Sequence, residues 1–158
     1  MPNWCENKLE IEKGVDEFVE KYTSIDEDGH RFFDLEKVIP TPSDMLEDGR
    51  WFTWRVDHWG TKWNLSGQTT TFSDDYSEVY FDSAWSPPVG ALERISKQCP
   101  NIQFHMYYVE LGCFFAGSVD FDGDFFSIDY DLDPKHVAEV EFGWDLSDLF
   151  SDEPEEVA

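Results

Sequence analysis

From residue 5 to residue 13 apolar and polar side chains alternate, with Cys5, Asn7, Leu9 and Ile11 on one side and Glu6, Lys8, Glu10 and Glu12 on the other. That period of two predicts a strand with one solvated face. Val15, Phe18, Val19 and Tyr22 then recur at helical spacing, with Asp16 and Glu17 in the first turn, where the helix dipole favours acids. Residues 64–72 and 78–83 read as two strands of an antiparallel hairpin turning at Ser73-Asp74-Asp75. In the second of these, Val79, Phe81, Ser83 and Trp85 share one face and Glu78, Tyr80 and Asp82 the other. Ser86-Pro87-Pro88 offers an N-cap and a proline for the first helical position, Val89, Leu92, Ile95 and Cys99 make a helical stripe, and Pro100 stops it. Residues 103–111, rich in aromatic and β-branched side chains, predict a further strand.

The resulting order, βα then ββ then αβ, is that of a split βαβ sandwich, a ferredoxin-like α+β fold with two helices on one face of an antiparallel sheet and the other face open. Asp122-Gly123 predicts a two-residue hairpin turn within residues 114–130. It sets Phe121 opposite Asp124, Val119 opposite Phe126, Gly117 opposite Ile128 and Phe115 opposite Tyr130, with Asp120, Asp129 and Asp131 on the other face. One domain is expected over residues 1–133, carrying this hairpin and an insertion at about residues 24–62, followed by an acidic tail over 134–158. Residues 24–50 show only local apolar clusters at Phe32-Phe33-Asp34-Leu35 and Val38-Ile39, broken by Pro40 and Pro42, and predict an irregular connection. It is either a lid or a set of apolar residues pinned onto the core. In the tail, Phe142, Leu146, Leu149 and Phe150 stand at i, i+4, i+7 and i+8, the spacing of a short amphipathic helix that either docks in a partner or packs on its own sheet.

Two aromatic blocks organise the rest. Trp59-Gly60-Thr61-Lys62-Trp63 reads as a turn held between indoles, and Trp85 precedes Ser86-Pro87-Pro88, so Trp63 and Trp85 are expected to be largely buried. Asp57 and His58 offer an acid–base pair, but neighbours on an extended strand point to opposite faces and no Ser or Cys nucleophile is tied to them by spacing. Packing is the favoured reading there, and an enzyme built on this Trp/His/Lys region ranks last.

Charge changes the picture of partners. With 35 acidic against 11 basic side chains and a net charge of −24, the chain is poorly suited to bare nucleic acid or anionic membrane, and a basic protein partner is favoured. Its aromatic content separates it from disordered acidic chains. Cys5, Cys99 and Cys113 are odd in number and set in apolar surroundings, which predicts three buried thiols in a reducing cytoplasm. No cofactor is expected, and no metal. Asp120, Asp122 and Asp124 alternate as in a calcium loop, but the glycine and the closing glutamate are misplaced, and the four histidines show no ligand spacing with the cysteines. No leader or membrane span is read from the chain.

Met1-Pro2-Asn3-Trp4-Cys5 with Asn7, the Trp59–Trp63 block, Phe81 with Ala84-Trp85-Ser86-Pro87-Pro88, and Tyr108 with Glu110 and Gly112 resemble the YubB-like ferredoxin-like domain family over roughly residues 1–120. The resemblance implies the fold and an origin on bacterial plasmids, phages and other mobile elements, and it implies no activity or catalytic residues. Charge and resemblance together lead to an acidic, non-enzymatic binding protein in the cytoplasm of a bacterial host, a candidate DNA mimic that occupies the site of a basic host or defence protein. The candidate partner-binding residues are Asp120, Asp129 and Asp131 on the hairpin, Glu10 and Glu12 on the first strand, and Asp145, Asp148 and Asp152 in the tail. Trp59, Gly60, Lys62, Trp63, Trp85, Pro87 and Pro88 are the structural hallmarks. The alternative is nucleic-acid binding through the open sheet, which the acids on that face oppose.

Overall fold

Alternation in the first strand sets the frame. In the computed structural model, which describes residues 3–147, β1 (Trp4–Lys13) buries Cys5, Asn7, Leu9 and Ile11 and turns Glu6, Lys8, Glu10 and Glu12 to the other face. Gly14, at φ 84° and tight against the backbone of Asn101 and Ile102, lets the chain turn into α1 (Val15–Tyr22), which buries Phe18 and Tyr22. β2 (Thr23–Ile25) and β3 (Arg31–Phe33) pair as a small separate sheet. Three short helices follow, α2 (Leu35–Val38), α3 (Ser43–Glu47) and α4 (Trp51–His58). Then come β4 (Thr70–Phe72), β5 (Glu78–Ala84), α5 (Val89–Gln98), β6 (Gln103–Glu110), β7 (Phe115–Phe121) and β8 (Phe126–Asp129). The described chain closes with α6 (Pro134–His136), a π-helical turn Val137–Glu141 and an irregular stretch.

The main sheet runs β4-β5-β1-β6-β7-β8, and every neighbouring pair is antiparallel. Its inner face meets α1, α2 and α5 in one core, where Phe18, Phe33 and Phe81 pack ring on ring with centroids 5.1 and 5.8 Å apart. A second, smaller core lies on the outer face: Val109 of β6 and Ala116 of β7 are covered by Val137, Ala138 and Leu146.

Several expectations change. Residues 24–62 are not irregular: the segment holds a hairpin and three helices, and Phe33, Leu35, Val38 and Ile39 are buried in the main core. Helices this short complete too few turns to show a period, and α2 is started instead by Asp34, whose carboxylate accepts the Glu36 N–H. Residues 51–58 form a helix, so Asp57 and His58 are successive helical positions, and His58 stacks on Trp54 with Nδ1 2.8 Å from the Trp54 carbonyl. The strand expected over 64–72 shrinks to Thr70–Phe72 behind a 3-10 turn at Gly67–Thr69.

Hairpin β7–β8 pairs Phe121 with Phe126 and Val119 with Ile128, leaving a four-residue loop, 122–125, where the sequence suggests two. The Asp122 carboxylate causes this by accepting the N–H groups of Asp124 and Phe125, which fixes a wider turn. Partners slip by two, so the apolar and acidic faces survive. Helical turns lie at Pro134–His136 and Val137–Glu141, where Pro134 suits a first turn and Gly143, at φ 69°, ends the run; of the helix expected from Phe142 onward, residues 142–146 are not helical and Ser147 is. Leu149 and Phe150 lie outside the described residues. Cys5 and Cys99 are buried, but Cys113 is exposed, because it sits in the β6–β7 turn that the buried Glu110 carboxylate holds through the Gly112 and Cys113 N–H groups.

Candidate functional site

Strand register arranges the outer face of the sheet as rows. One row runs Asp82, Glu6, Val109, Ala116; the next runs Tyr80, Lys8, Tyr107, Ser118, Asp129; the third runs Glu78, Glu10, His105, Asp120, Ser127. The first row passes under the small outer core at Val109 and Ala116. Glu78, Glu10 and Asp120 of the third row keep access to solvent, and Glu12 is exposed beyond it. Glu10, Asp120 and Asp129, candidates from two distant parts of the chain, thus share one face, with Glu12 at the bulge between Ile11 and Lys13 on its edge. Asp131 is exposed just past β8 and Asp145 just before Leu146, while Asp148 and Asp152 lie outside the described residues.

Three polar pairs tie the face together. Lys8 Nζ lies 3.4 Å from Glu10 and 3.9 Å from Glu141, fastening the C-terminal segment to β1. Burial opposes its charge, yet Glu10, Tyr80 and Glu141 hold the ammonium pKa above its ordinary value. His105 Nδ1 donates to Asp120 Oδ1 at 2.7 Å, while Nε2 is buried with no hydrogen-bond partner among the described residues. That geometry gives an imidazole oriented by a carboxylate whose other nitrogen is closed off, an anchor for the face in place of a base that a substrate could reach. Glu6 and Asp82, opposite each other in register, are the third pair. Burial, then the hydrogen bond and charge of Asp82, push the Glu6 pKa up to about 8 from 4.5, so Glu6 holds its proton at neutral pH.

The aromatic blocks do meet, on the inner side. Trp59 is fully buried with its indole N–H on the Ile39 carbonyl at 2.9 Å and the Arg55 guanidinium 4.8 Å from its ring. Gly60, at φ 91°, brings its Cα so close to Pro87 O and Val89 N that a Cβ would stand about 3 Å from both. Thr61 Oγ1 donates to Ala84 O, and the Ser86 hydroxyl, expected to cap the helix, donates to Gly60 O instead, leaving α5 to begin at Val89 with Pro88 at its cap. Lys62 lies over Phe52 and Trp63 at 4.7 and 5.1 Å, and Trp63 meets Trp4 at 6.1 Å. Trp63 is half-buried and Trp85 is 46 % exposed, against the expectation for both. Trp85 adopts φ 71°, which breaks the strand alternation after Ala84 and turns the indole outward.

Sequence reasoning missed His105 and the Glu6–Asp82 pair, although the alternation of both strands already placed these residues on the polar side. It also missed Asp26, Asp28 and His30, whose ligand atoms lie within 4.8 Å of one another. There the Asp26 carboxylate accepts the Asp28 and His30 N–H groups at 2.9 Å, closing the β2–β3 turn. Among the described residues, no helix is long and apolar enough to cross a membrane.

Residues 58–146 match the family model described as "Ferredoxin-like domain in Api92-like protein". No curated protein and no solved structure matches the chain.

Proposed function

The chain belongs to the family of the ferredoxin-like domain in Api92-like protein, and from that premise we propose that it is a non-catalytic acidic binding module whose outer sheet face docks a basic protein. In this reading β4-β5-β1-β6, with α1 and α5 as crossovers, is the split βαβ unit, and β7–β8 widens its face. The YubB-like affinity, a mobile-element origin and a bacterial cytoplasmic setting belong to the same proposal.

The observation that carries it is the row Glu78–Glu10–His105–Asp120 with Glu12 and Asp129 beside it. A single acidic strand is too sparse to imitate DNA, since alternate side chains stand about 6.6 Å apart. Across strands the spacing falls to about 4.8 Å, so the four-strand row spans roughly 14 Å. Duplex DNA of that length carries about eight charges. Glu78, Glu10, Glu12, Asp120, Asp129 and Glu141 give the face a carboxylate density of the same order, offset in part by Lys8 and by Lys13 at the end of β1. The same carboxylates repel phosphate, which disfavours nucleic acid as the ligand.

Competition is the test. A basic DNA-binding partner captured from bacterial lysate at low salt is loaded with labelled duplex, and the protein is titrated in, with the Glu10→Gln, Asp120→Asn, Asp129→Asn triple variant in parallel. Displacement by the wild type that weakens with salt and is lost in the variant supports the reading. Equal displacement by both, or none by the wild type, rejects it.

A further inference from the structure

On the inner side, a cavity of 410 Å³ opens where the loop before α5 meets the far strands. Ser86, Pro87 and Val89 come to it from the loop, and Tyr108, Phe115 and Tyr130 from β6, β7 and the end of β8. Its volume falls in the range of small-molecule sites, and its lining is mostly apolar.

One polar group in it is unaccounted for. Tyr108 is only 2 % exposed and its hydroxyl sits over Gly117, where an added Cβ would collide with it, yet the hydroxyl oxygen is not among the fully enclosed polar atoms left without a partner. No side-chain or backbone group of the described residues is seen to take up this hydroxyl, so water or an occupant of the cavity is left to pair with it. Ser86 does not fill that role, because its proton goes to Gly60 O. Burial, then Cys5, Tyr130 and Asp129, push the Tyr108 pKa up to about 12, so at neutral pH it is a neutral phenol able to accept a hydrogen bond.

The surroundings select the charge of the occupant. No Lys or Arg lines the cavity, Asp129 and Asp131 flank Tyr130, and the whole chain carries −24. Ring faces complete the setting, with Tyr108 and Phe115 in edge contact at 6.2 Å. Aromatic faces in a negative field favour a cation. We propose that this cavity binds a small organic cation, an ammonium carried on an apolar or aromatic body, with the Tyr108 oxygen accepting its N–H and the rings of Phe115 and Tyr130 facing its charge. The proposal does not rest on the acidic-face reading, since the cavity lies on the other side of the sheet.

The test uses three probes of one shape on the full chain: phenethylammonium, 2-phenylethanol and phenylacetate, followed by NMR shifts of the tyrosine and Phe115 ring resonances. Phenethylammonium is expected to saturate these shifts, the alcohol to bind about tenfold more weakly, and phenylacetate not to bind. Tyr108→Phe, which keeps the ring, should weaken phenethylammonium about tenfold, and Phe115→Leu should weaken it while leaving the alcohol little changed. Binding must survive in a Glu10→Gln, Asp120→Asn acid-neutralised variant, which removes carboxylates of the outer face and leaves Asp129 in place. Equal affinity for alcohol and ammonium, indifference to Tyr108→Phe, or loss of binding only in the acid-neutralised variant each overturns the proposal, the last by moving the cation to the outer face.

Discussion

The two faces of the one sheet are built by opposite rules. Inside, Leu9, Phe81, Phe104, Met106 and Val119 meet helices and an inserted segment in a continuous apolar core. Outside, the same strands carry Glu10, Tyr80, His105 and Asp120, and a patch at Val109 and Ala116, reaching Tyr107 and Tyr80, is covered by apolar residues of the C-terminal segment. Strand alternation makes the two sets independent of each other. The inner set therefore answers to packing, and the outer set is free to answer to something else. Changes on the two sides should separate accordingly, large in stability inside and small outside.

The largest effect is expected at Trp59. Trp59→Ala empties a fully buried site, removes the hydrogen bond to Ile39 O and strips a ring from under Arg55. A loss of about 3–5 kcal/mol in chemical denaturation is expected. Trp85→Ala, four-tenths or more exposed in the wild type, should cost less than about 1 kcal/mol. If the two variants lose equal stability, the assignment of Trp59 to the interior and Trp85 to the surface is wrong.

The patch on the outer face blurs the contrast, and Leu146 measures by how much. Leu146→Ala should cost about 2 kcal/mol, the low end for a buried leucine, because the cluster around it is small. The sequence leaves the tail from residue 134 either docking in a partner or packing on its own sheet, and Val137, Ala138 and Leu146 pack on β6 and β7. A midpoint unchanged by Leu146→Ala in urea would show that this packing contributes nothing to stability.

What could be read from the chain divides in the same way. β1, α1, β5, α5 and β6 were legible because each shows its period over several turns or alternations, and the acidic side of β7–β8 was legible for the same reason. Trp85 defied alternation because one residue at positive φ rotates everything after it, and nothing in Ala84-Trp85-Ser86 announces that. Hairpin β7–β8 kept its faces but changed its turn, since Asp122 could serve either a two-residue or a wider loop. Lys8, Glu10, His105 and Asp120 were each visible as polar-face residues. Their assembly into rows depends on pairings between strands nearly a hundred residues apart, which one-dimensional patterns do not contain.

The Glu6–Asp82 pair gives the outer face a pH signature. Glu6 has a folded pKa of about 8, above its ordinary 4.5, so between those values the native state holds a proton that the unfolded chain has released. Stability therefore falls as pH rises through this window and levels off above it. Glu6→Gln imitates the protonated form and should flatten that slope, raising stability at alkaline pH by about 1–2 kcal/mol once screening of a half-exposed pair is allowed for. Parallel denaturation of variant and wild type below pH 4.5 and above pH 8 tests this, and an unchanged difference between the two proteins across the window would show that Glu6 holds no such proton.

The smallest effect on stability, and the sharpest use of the comparison, is expected at Asp120. Its side chain is 55 % exposed, so the pair with His105, although only 2.7 Å long, is screened by water. Asp120→Asn keeps an acceptor near Nδ1 and should change stability by less than about 0.5 kcal/mol. If the row serves recognition, the same change should weaken a basic partner and make the logarithm of its affinity fall less steeply with the logarithm of salt, because one charge leaves the interface. A structural role predicts the reverse: a clear loss in denaturation midpoint and no change in the salt slope. Measuring both on one variant decides which rule governs the outer face, since the inner face has no residue at which stability and charge can be separated so cleanly.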